Sequence, residues 1–528
     1  MPLSRINGIF RNLLADDSLT KKAALNALAS SLDYTVQLVV GFAITPVVVS
    51  GLGDFYYGAW QVLRSTTGYL SPATGRPTQA LKMTLANRQG MASDAEKREY
   101  VGSALAVLGL FLPLTILLGA VLTWYFPIWL RAPLETYLSL RIAAGLIVAN
   151  LVIYTAGNIP QSVLEGENLG YKRMGLSAGL VLLSGGFVWL AMHFKLGIVG
   201  VGSAYTVSAV LSTLFFLQVV RSFAPWFGAS KPPADAVRQF LGLSWWFLGW
   251  HMIVNLTTTS DVAVLGFLDS AQAVTKYSIT KYAPETLVSF VAIVVFGIIP
   301  GLGGIIGSGD KEKARRVRSE IMALTWLIVT VLGSGVLLWN RTFIRLWVGA
   351  KHYAGDLPTL LIVIAVIQFV LIRNDANVID LTLNLKRKVI MGAISVTVSV
   401  IAGGMMVAYF HAGIVGVVLG TMAGRAILTI DYPRRVGRFL NYPFREQLKG
   451  ARRAAFVSML LFVTAIVLSR TLPTAHWHGP SGWIVFVLSC GVTFLILAAL
   501  AFFAGLSPSQ RNQIMLRARI IAGAAHGR

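Results

Sequence analysis

The sequence predicts an all-α polytopic membrane protein with about fourteen transmembrane helices. Three observations carry that prediction. Of 528 residues, 55% are hydrophobic and only 13% charged, with a mean hydropathy of +0.68; soluble domains carry roughly 25% charged residues. Apolar blocks recur from end to end with no polar domain between them. Val101 to Thr123, Ile142 to Leu164, Leu196 to Val220, Ile321 to Asn340 and Trp483 to Leu506 span with few or no charges, each long enough for a hydrocarbon core of about 30 Å. Lysine and arginine, finally, concentrate in alternate loops.

The spans fall near 24–49, 56–82, 101–124, 139–163, 174–194, 196–220, 241–266, 278–305, 320–340, 357–382, 389–410, 413–431, 454–470 and 483–505. The second and eighth are polar for spans. Before them, Met1 to Asp17 places Ile6, Ile9, Phe10, Leu13 and Leu14 at helical spacing between Arg5 and Arg11. That pattern is an amphipathic segment lying on the membrane, without the continuous apolar region of a signal peptide.

With the N-terminus inside, the inner segments hold 32 of the 45 lysines and arginines. The outer segments, with the span ends beside them, hold 9, and Arg64, Arg76, Arg373 and Arg425 lie within spans. This bias places both termini in the cytoplasm. The net charge of +23 is therefore topological. It does not mark a nucleic-acid binder, whose basic residues would cluster on one folded polar face. The single cysteine, Cys490, sits in an apolar block, so the chain can build neither an internal disulfide nor a cysteine-rich metal site.

The chain also repeats. Gly197-Ile198-Val199-Gly200-Val201 recurs as Gly413-Ile414-Val415-Gly416-Val417, an offset of 216; Asn168-Leu169 and Lys172 recur as Asn384-Leu385 and Lys388 at the same offset. Six spans separate the copies. An even number makes the halves parallel, related by an axis along the membrane normal. The expected organisation is a surface segment (1–23), a six-helix lobe (24–220), a cytoplasmic linker (221–240), a second six-helix lobe (241–432), and a basic loop, two extra helices and a tail (433–528).

Polar residues within spans fall on single faces. Span 1 carries Asn26, Ser30, Asp33 and Gln37. Span 2 carries Arg64, Thr67, Ser71, Thr74, Thr78 and Lys82. Span 7 carries Ser244, His251, Asn255 and Thr258, with Asp261 near its outer end. Span 8 carries Ser278, Lys281, Glu285 and Ser289, and span 10 carries Arg373, Asn377, Asp380 and Asn384, with Asp375 off that face. One reading is internal cohesion by hydrogen bonds and ion pairs, such as Lys281 with Glu285 at i, i+4. The functional reading is a wet central cavity in which Arg64, Arg76, Lys281 and Arg373 bind an anionic head group. In it Asn26, Ser30, Gln37, His251, Asn255 and Glu285 are polar lining. Asp33, Asp261, Asp375 and Asp380 are candidates for coupling to H+ or Na+. Asp33 is preferred because its stripe holds no basic residue.

Other motifs lead nowhere. His476-Trp477-His478 offers two ligands without an acidic or cysteine partner. Gly301-Leu302-Gly303-Gly304 lacks the Lys-Ser/Thr of a phosphate loop. No catalytic constellation stands out, and neither a cofactor nor a metal is expected.

Thr45-Pro46 and Leu52-Gly53-Asp54-Phe55-Tyr56-Tyr57-Gly58-Ala59-Trp60 resemble the Leu-Gly-x-x-x-Tyr-Gly turn of the multidrug/oligosaccharidyl-lipid/polysaccharide (MOP) exporter superfamily, in its polysaccharide-biosynthesis branch. Val274-Thr275-Lys276-Tyr277-Ser278-Ile279 resembles the equivalent turn before span 8, and Leu164-Glu165-Gly166-Glu167-Asn168 the short loop after span 4. The likeness covers about residues 20 to 435. It departs late in span 2, where Ala73-Thr74-Gly75-Arg76-Pro77 replaces the usual Asp-Leu-Gly. The resemblance implies two lobes, alternating access, and a flippase in the cytoplasmic (inner) membrane. The implied substrate is a sugar-bearing undecaprenyl (di)phosphate for surface polysaccharide such as lipopolysaccharide O-antigen, with membrane lipid and the glycan-assembly machinery as partners. A drug/cation antiporter of the same superfamily predicts an acidic, aromatic-lined cavity instead. A major-facilitator transporter would need an Asp-Arg-rich loop where Ala86-Asn87-Arg88-Gln89-Gly90 stands, and a polymerase or ligase would need a large outer loop.

Overall fold

The computed structural model describes residues 19–75, 77–88, 91–167, 169, 175–307, 309–381, 386–474, 476–512 and 515, with side chains inside helices left out at 19–31, 72, 86–87, 239, 243–248, 250, 290, 292–301, 303–304, 307 and 381. The amphipathic 1–17 segment, Arg76, Asn168, Lys172, Asn384 and Leu385 lie outside the described residues, as do the side chains of Asn26, Ser30 and Ser244.

Among the described residues there are fourteen α-helices and no strand. In chain order they are α1 (Leu19–Leu70), α2 (Pro77–Asn87), α3 (Asp94–Trp129), α4 (Tyr137–Gly166), α5 (Leu176–His193), α6 (Gly197–Phe223), α7 (Ala234–Leu268), α8 (Ala271–Gly307), α9 (Lys311–Trp347), α10 (Asp356–Leu381), α11 (Lys386–Ala408), α12 (Gly413–Phe439), α13 (Phe444–Thr471) and α14 (Gly479–Leu500). Eleven stretches among the described residues are long and apolar enough to cross a membrane. Helices α7 and α8, which contain most of the side chains left out, are not among the eleven. The chain is an all-α polytopic membrane protein.

Two expected spans share α1. Its 52 residues exceed any bilayer crossing at about 1.5 Å per residue, and the helix is interrupted at Gly53, whose φ of 73° and ψ of 173° are non-helical. Only glycine adopts that conformation readily. The second span is itself broken, contrary to the continuous 56–82 expected. Its helix stops at Leu70, turns through a 3-10 segment (Ser71–Thr74), and resumes at Pro77. Pro72 and Pro77 lack amide donors, and Gly75 has a φ of 74°, so the helical ladder cannot run through. The hydroxyl of Thr115 on α3 donates to the freed carbonyl of Ala73 at 2.8 Å.

The chain forms two compact units, residues 1–259 and 260–528. In the first, α2, α3 and α4 enclose a core that includes Leu81, Leu85, Val101, Val107, Ile159, Val163 and Leu164. Helix α3 starts with a capping box in which Ser93 and Glu96 satisfy each other's backbone amides. The Ser93 amide and hydroxyl hold the Glu96 carboxyl below its ordinary range. Residues 224–233, between α6 and α7, lie as a strap on the start of α3. Arg98 Nε donates to the Trp226 carbonyl at 2.8 Å, and the Ser230 amide donates back to the Arg98 carbonyl at 3.2 Å.

In the second unit, α11 and α12 approach through small residues four apart. Gly416, Gly420 and Gly424 occupy α12, and Ser395, Ser399 and Gly403 occupy α11. A β-carbon on Gly424 would lie 2.1 Å from Ser399 Oγ, and one on Gly420 would lie 2.1 Å from the Gly403 nitrogen. This is the close backbone approach that small-residue repeats permit in membranes. The last two helices pack on α9. Thr330 and Ser458 share a 2.6 Å hydrogen bond, Trp339 Nε1 donates to Thr493 Oγ1 at 3.3 Å, and Trp339 stacks on Trp477.

The repeat has a backbone counterpart. Helices α6 and α12 each run 27 residues, starting at Gly197 and Gly413. Each follows a left-handed residue, Lys195 (φ 55°) or His411 (φ 50°), and each starts on a positive-φ glycine, at 61° and 48°. The turn is reproduced at the offset of 216 read from the sequence.

Candidate functional site

Each unit builds a polar site among its described residues. In the first unit, α1, α4, α5 and α6 surround a cavity of about 540 Å³. Asp33 and Gln37 reach it from α1, Asn150, Tyr154 and Gln161 from α4, Ser177 and Ser184 from α5, and Tyr205, Ser208 and Ser212 from α6. The polar part of the lining is hydroxyls, amides and one carboxylate, beside the apolar Leu180, Val181, Ala209 and Phe216. Asn150 Nδ2 donates to the Tyr205 carbonyl at 2.8 Å, and Tyr205 stacks on Trp60 at 5.5 Å, so the wall is held by its own contacts. Of the stripe on span 1, the structure brings Asp33 and Gln37 to this cavity. The contributions of α4, α5 and α6 were not singled out from sequence, because isolated serines and tyrosines in separate spans carry no shared periodicity.

The second unit buries a charge cluster. Asp261, near the end of α7, is 6% exposed. Its Oδ2 accepts hydrogen bonds from the Tyr277 hydroxyl and, at 2.8 Å, from Lys281 Nζ. Lys281 also pairs with Glu285 at 2.9 Å. Tyr277, Lys281 and Glu285 lie at steps of four on α8, one helical face, so the spacing that identified the last two contained Tyr277 as well. Two carboxylates thus surround one ammonium, and Lys281 has little spare charge for a ligand. Arg425 of α12 is buried, with Nη1 donating to the Ala365 carbonyl at 3.1 Å and its guanidinium over the Phe369 ring.

The remaining candidates are dispersed. Arg64 is exposed on α1. His251 and Asn255 hydrogen-bond to each other at 2.9 Å, and Asn255 Nδ2 donates to the Gly68 carbonyl at 2.9 Å, which ties the polar face of span 7 to span 2. Asp375 is gripped by Arg318, a residue counted with the inner loop from sequence; Arg318 Nη2 also donates to Gln447 on α13. Asp380 pairs with the buried Lys388 at 2.5 Å, and Arg373 is half-buried. Among the described residues no group of three His, Cys, Asp or Glu could hold a metal ion.

The profile of a family described as polysaccharide biosynthesis protein matches residues 19–306, more than half of the chain. No curated protein matches the sequence. Among solved structures, a lipid II flippase MurJ in an inward closed conformation superposes with a TM-score of 0.66 at 14% identity, covering 90% of this chain and 98% of its own. An inward-facing multidrug resistance MATE transporter of the MOP superfamily gives 0.59 at 15% identity, covering 79% and 99%. A MOP superfamily transporter from Pyrococcus furiosus, with a binding pocket of reverse polarity, gives 0.51 at 14%, covering 79% and 96%. The chain has the MOP fold and belongs to the polysaccharide biosynthesis protein family.

Proposed function

We propose that the protein translocates a lipid-linked oligosaccharide, of the undecaprenyl-phosphate type, across the cytoplasmic membrane by alternating access for surface polysaccharide assembly such as O-antigen. The family match over residues 19–306 carries this reading. The broken second span supports it, since interrupted membrane helices supply polar backbone to substrate sites. The layout supports it too. The lipid II flippase superposes over 90% of this chain, and the inward-facing multidrug transporter over 79%. Both termini lie in the cytoplasm in this reading, Arg64 and Arg76 bind the anionic head group, and the glycan-assembly machinery consumes the product. Asp33, at the wall of the first unit's cavity, is the coupling residue for H+ or Na+.

A drug/cation antiporter is the second reading. The first unit's cavity favours it, because one carboxylate stands there with Tyr34, Tyr154, Tyr205 and Phe216. Deletion in the native host separates the two. Loss of the flippase leaves lipid-linked glycan on the inner leaflet and strips polysaccharide from the surface. Normal surface polysaccharide with new sensitivity to cationic drugs supports the antiporter instead.

A further inference from the structure

In the second unit a cleft of about 530 Å³ opens where α9 and α11 begin and α10 and α12 end. Lys311, Arg387, Arg435 and Arg438 line it, over a floor of Val378, Ile379, Val436 and Phe439. Asp431 pairs with two of them, Arg435 at 2.8 Å and Arg387 at 3.3 Å. Lys311 lies over the Phe439 ring at 5.9 Å. The site combines surplus positive charge with an apolar base.

Comparison with the repeat shows that the fold does not require the charges. At the offset of 216, Ile379, Val436 and Phe439 correspond to Val163, Val220 and Phe223, while Val378 corresponds to Ser162, so three of the four floor positions stay apolar in the first unit. The four cations correspond to Ala95, Tyr171, Val219 and Ser222, none of them basic. One unit has the cations and the other does not.

The cleft also continues into an apolar track. Ile390 and Ile394 follow Arg387 by three and seven residues, on the same face of α11, and are 47% and 44% exposed. A ligand with its charge at Arg387 and a hydrocarbon chain along Ile390 and Ile394 would match both halves of this surface. We propose that the cleft binds the phosphate head group of an amphiphile in the adjacent leaflet. The chemistry is shared by an anionic bilayer lipid and by a polyprenyl diphosphate. The cleft shares no residue with those proposed for transport, Arg64, Arg76 and Asp33.

The test is native mass spectrometry of the full-length protein released from micelles containing equal parts phosphatidylglycerol and phosphatidylcholine. The wild type should retain phosphatidylglycerol with a preference of roughly tenfold or more, the scale expected of basic residues at a membrane surface. Arg387→Gln with Arg438→Gln removes two exposed cations and should bring the preference near unity while thermal unfolding stays unchanged. Lys313→Gln with Arg316→Gln, also exposed on the first turns of α9 but outside the cleft, should leave the preference intact. Competition by a polyprenyl diphosphate identifies which amphiphile fills the site: displacement assigns it to the carrier lipid, and retention to bilayer lipid. A wild type without preference overturns the proposal. So does an equal loss in the control pair, which would mean that general inner-face charge attracts the lipid.

Discussion

Arg318 holds Asp375 through two parallel hydrogen bonds, Nε to Oδ1 at 2.9 Å and Nη2 to Oδ2 at 3.0 Å, with the two side chains 5% and 1% exposed. The fork geometry satisfies both carboxylate oxygens at once. Because Arg318 also reaches Gln447, one guanidinium joins α9, α10 and α13. Arg318→Ala leaves a carboxylate buried without its cation, and such a loss costs about 3–5 kcal/mol. Thermal unfolding in detergent should show that destabilisation. The double change Arg318→Met/Asp375→Leu removes both charges and should recover most of it.

Lys281 gives a different pattern. It stands between Asp261 and Glu285, so Lys281→Met places two carboxylates in one site without an ammonium. The expected result is low abundance in the membrane at neutral pH, partly restored by adding Asp261→Asn. Tyr277→Phe removes only one hydroxyl from Asp261 and should leave abundance within twofold of wild type. Immunoblots of membrane fractions read all three. Equal abundance for Lys281→Met and wild type would mean that the cluster is not held together by charge.

Between α11 and α12 steric contact sets the limit. Gly424→Ala inserts a methyl group 2.1 Å from Ser399 Oγ and 2.3 Å from the Ser395 carbonyl. Overpacking of this kind costs on the order of 1–3 kcal/mol. Gly186→Ala on α5 meets nothing within 4 Å and should be neutral in the same melting experiment.

Topology is tested by reporter fusions at Lys231, Lys311 and Arg528, all expected to report cytoplasm. Cys490 in α14 is half-buried among apolar neighbours and should resist a membrane-impermeant thiol reagent in intact cells. A periplasmic signal at any of the three positions would shift the register of the spans.

Much of this fold was legible in the sequence because bilayer-spanning helices are written as apolar runs. The repeat was legible as well: the offset between Gly197 and Gly413 reappears in paired left-handed turns. The break in span 2 was hidden because Pro72, Gly75 and Pro77 lie in a stretch that still reads as a polar helix face. The partner of Asp375 was hidden for another reason. Helix α9 begins at Lys311, some ten residues before its apolar run, so Arg318 looked like a loop cation until the helix was seen folded against α10. The Asp33 cavity needs four helices to meet, and no single stripe announces that. Arg425, noted only as a charge inside a span, gained a role when Ala365 and Phe369 proved to be its neighbours.

The central claim is tested most directly in proteoliposomes holding a fluorescent undecaprenyl-diphosphate sugar, with an impermeant quencher reporting the amount in the outer leaflet. Wild-type protein should move the lipid between leaflets faster than protein-free liposomes. An imposed H+ or Na+ gradient should bias the direction, and Asp33→Asn should lose that bias. Arg64→Ala and Arg76→Ala should each slow the movement, with partial rescue by Lys. A wild type indistinguishable from protein-free liposomes, in the same preparation that exchanges an organic cation, would contradict the flippase account.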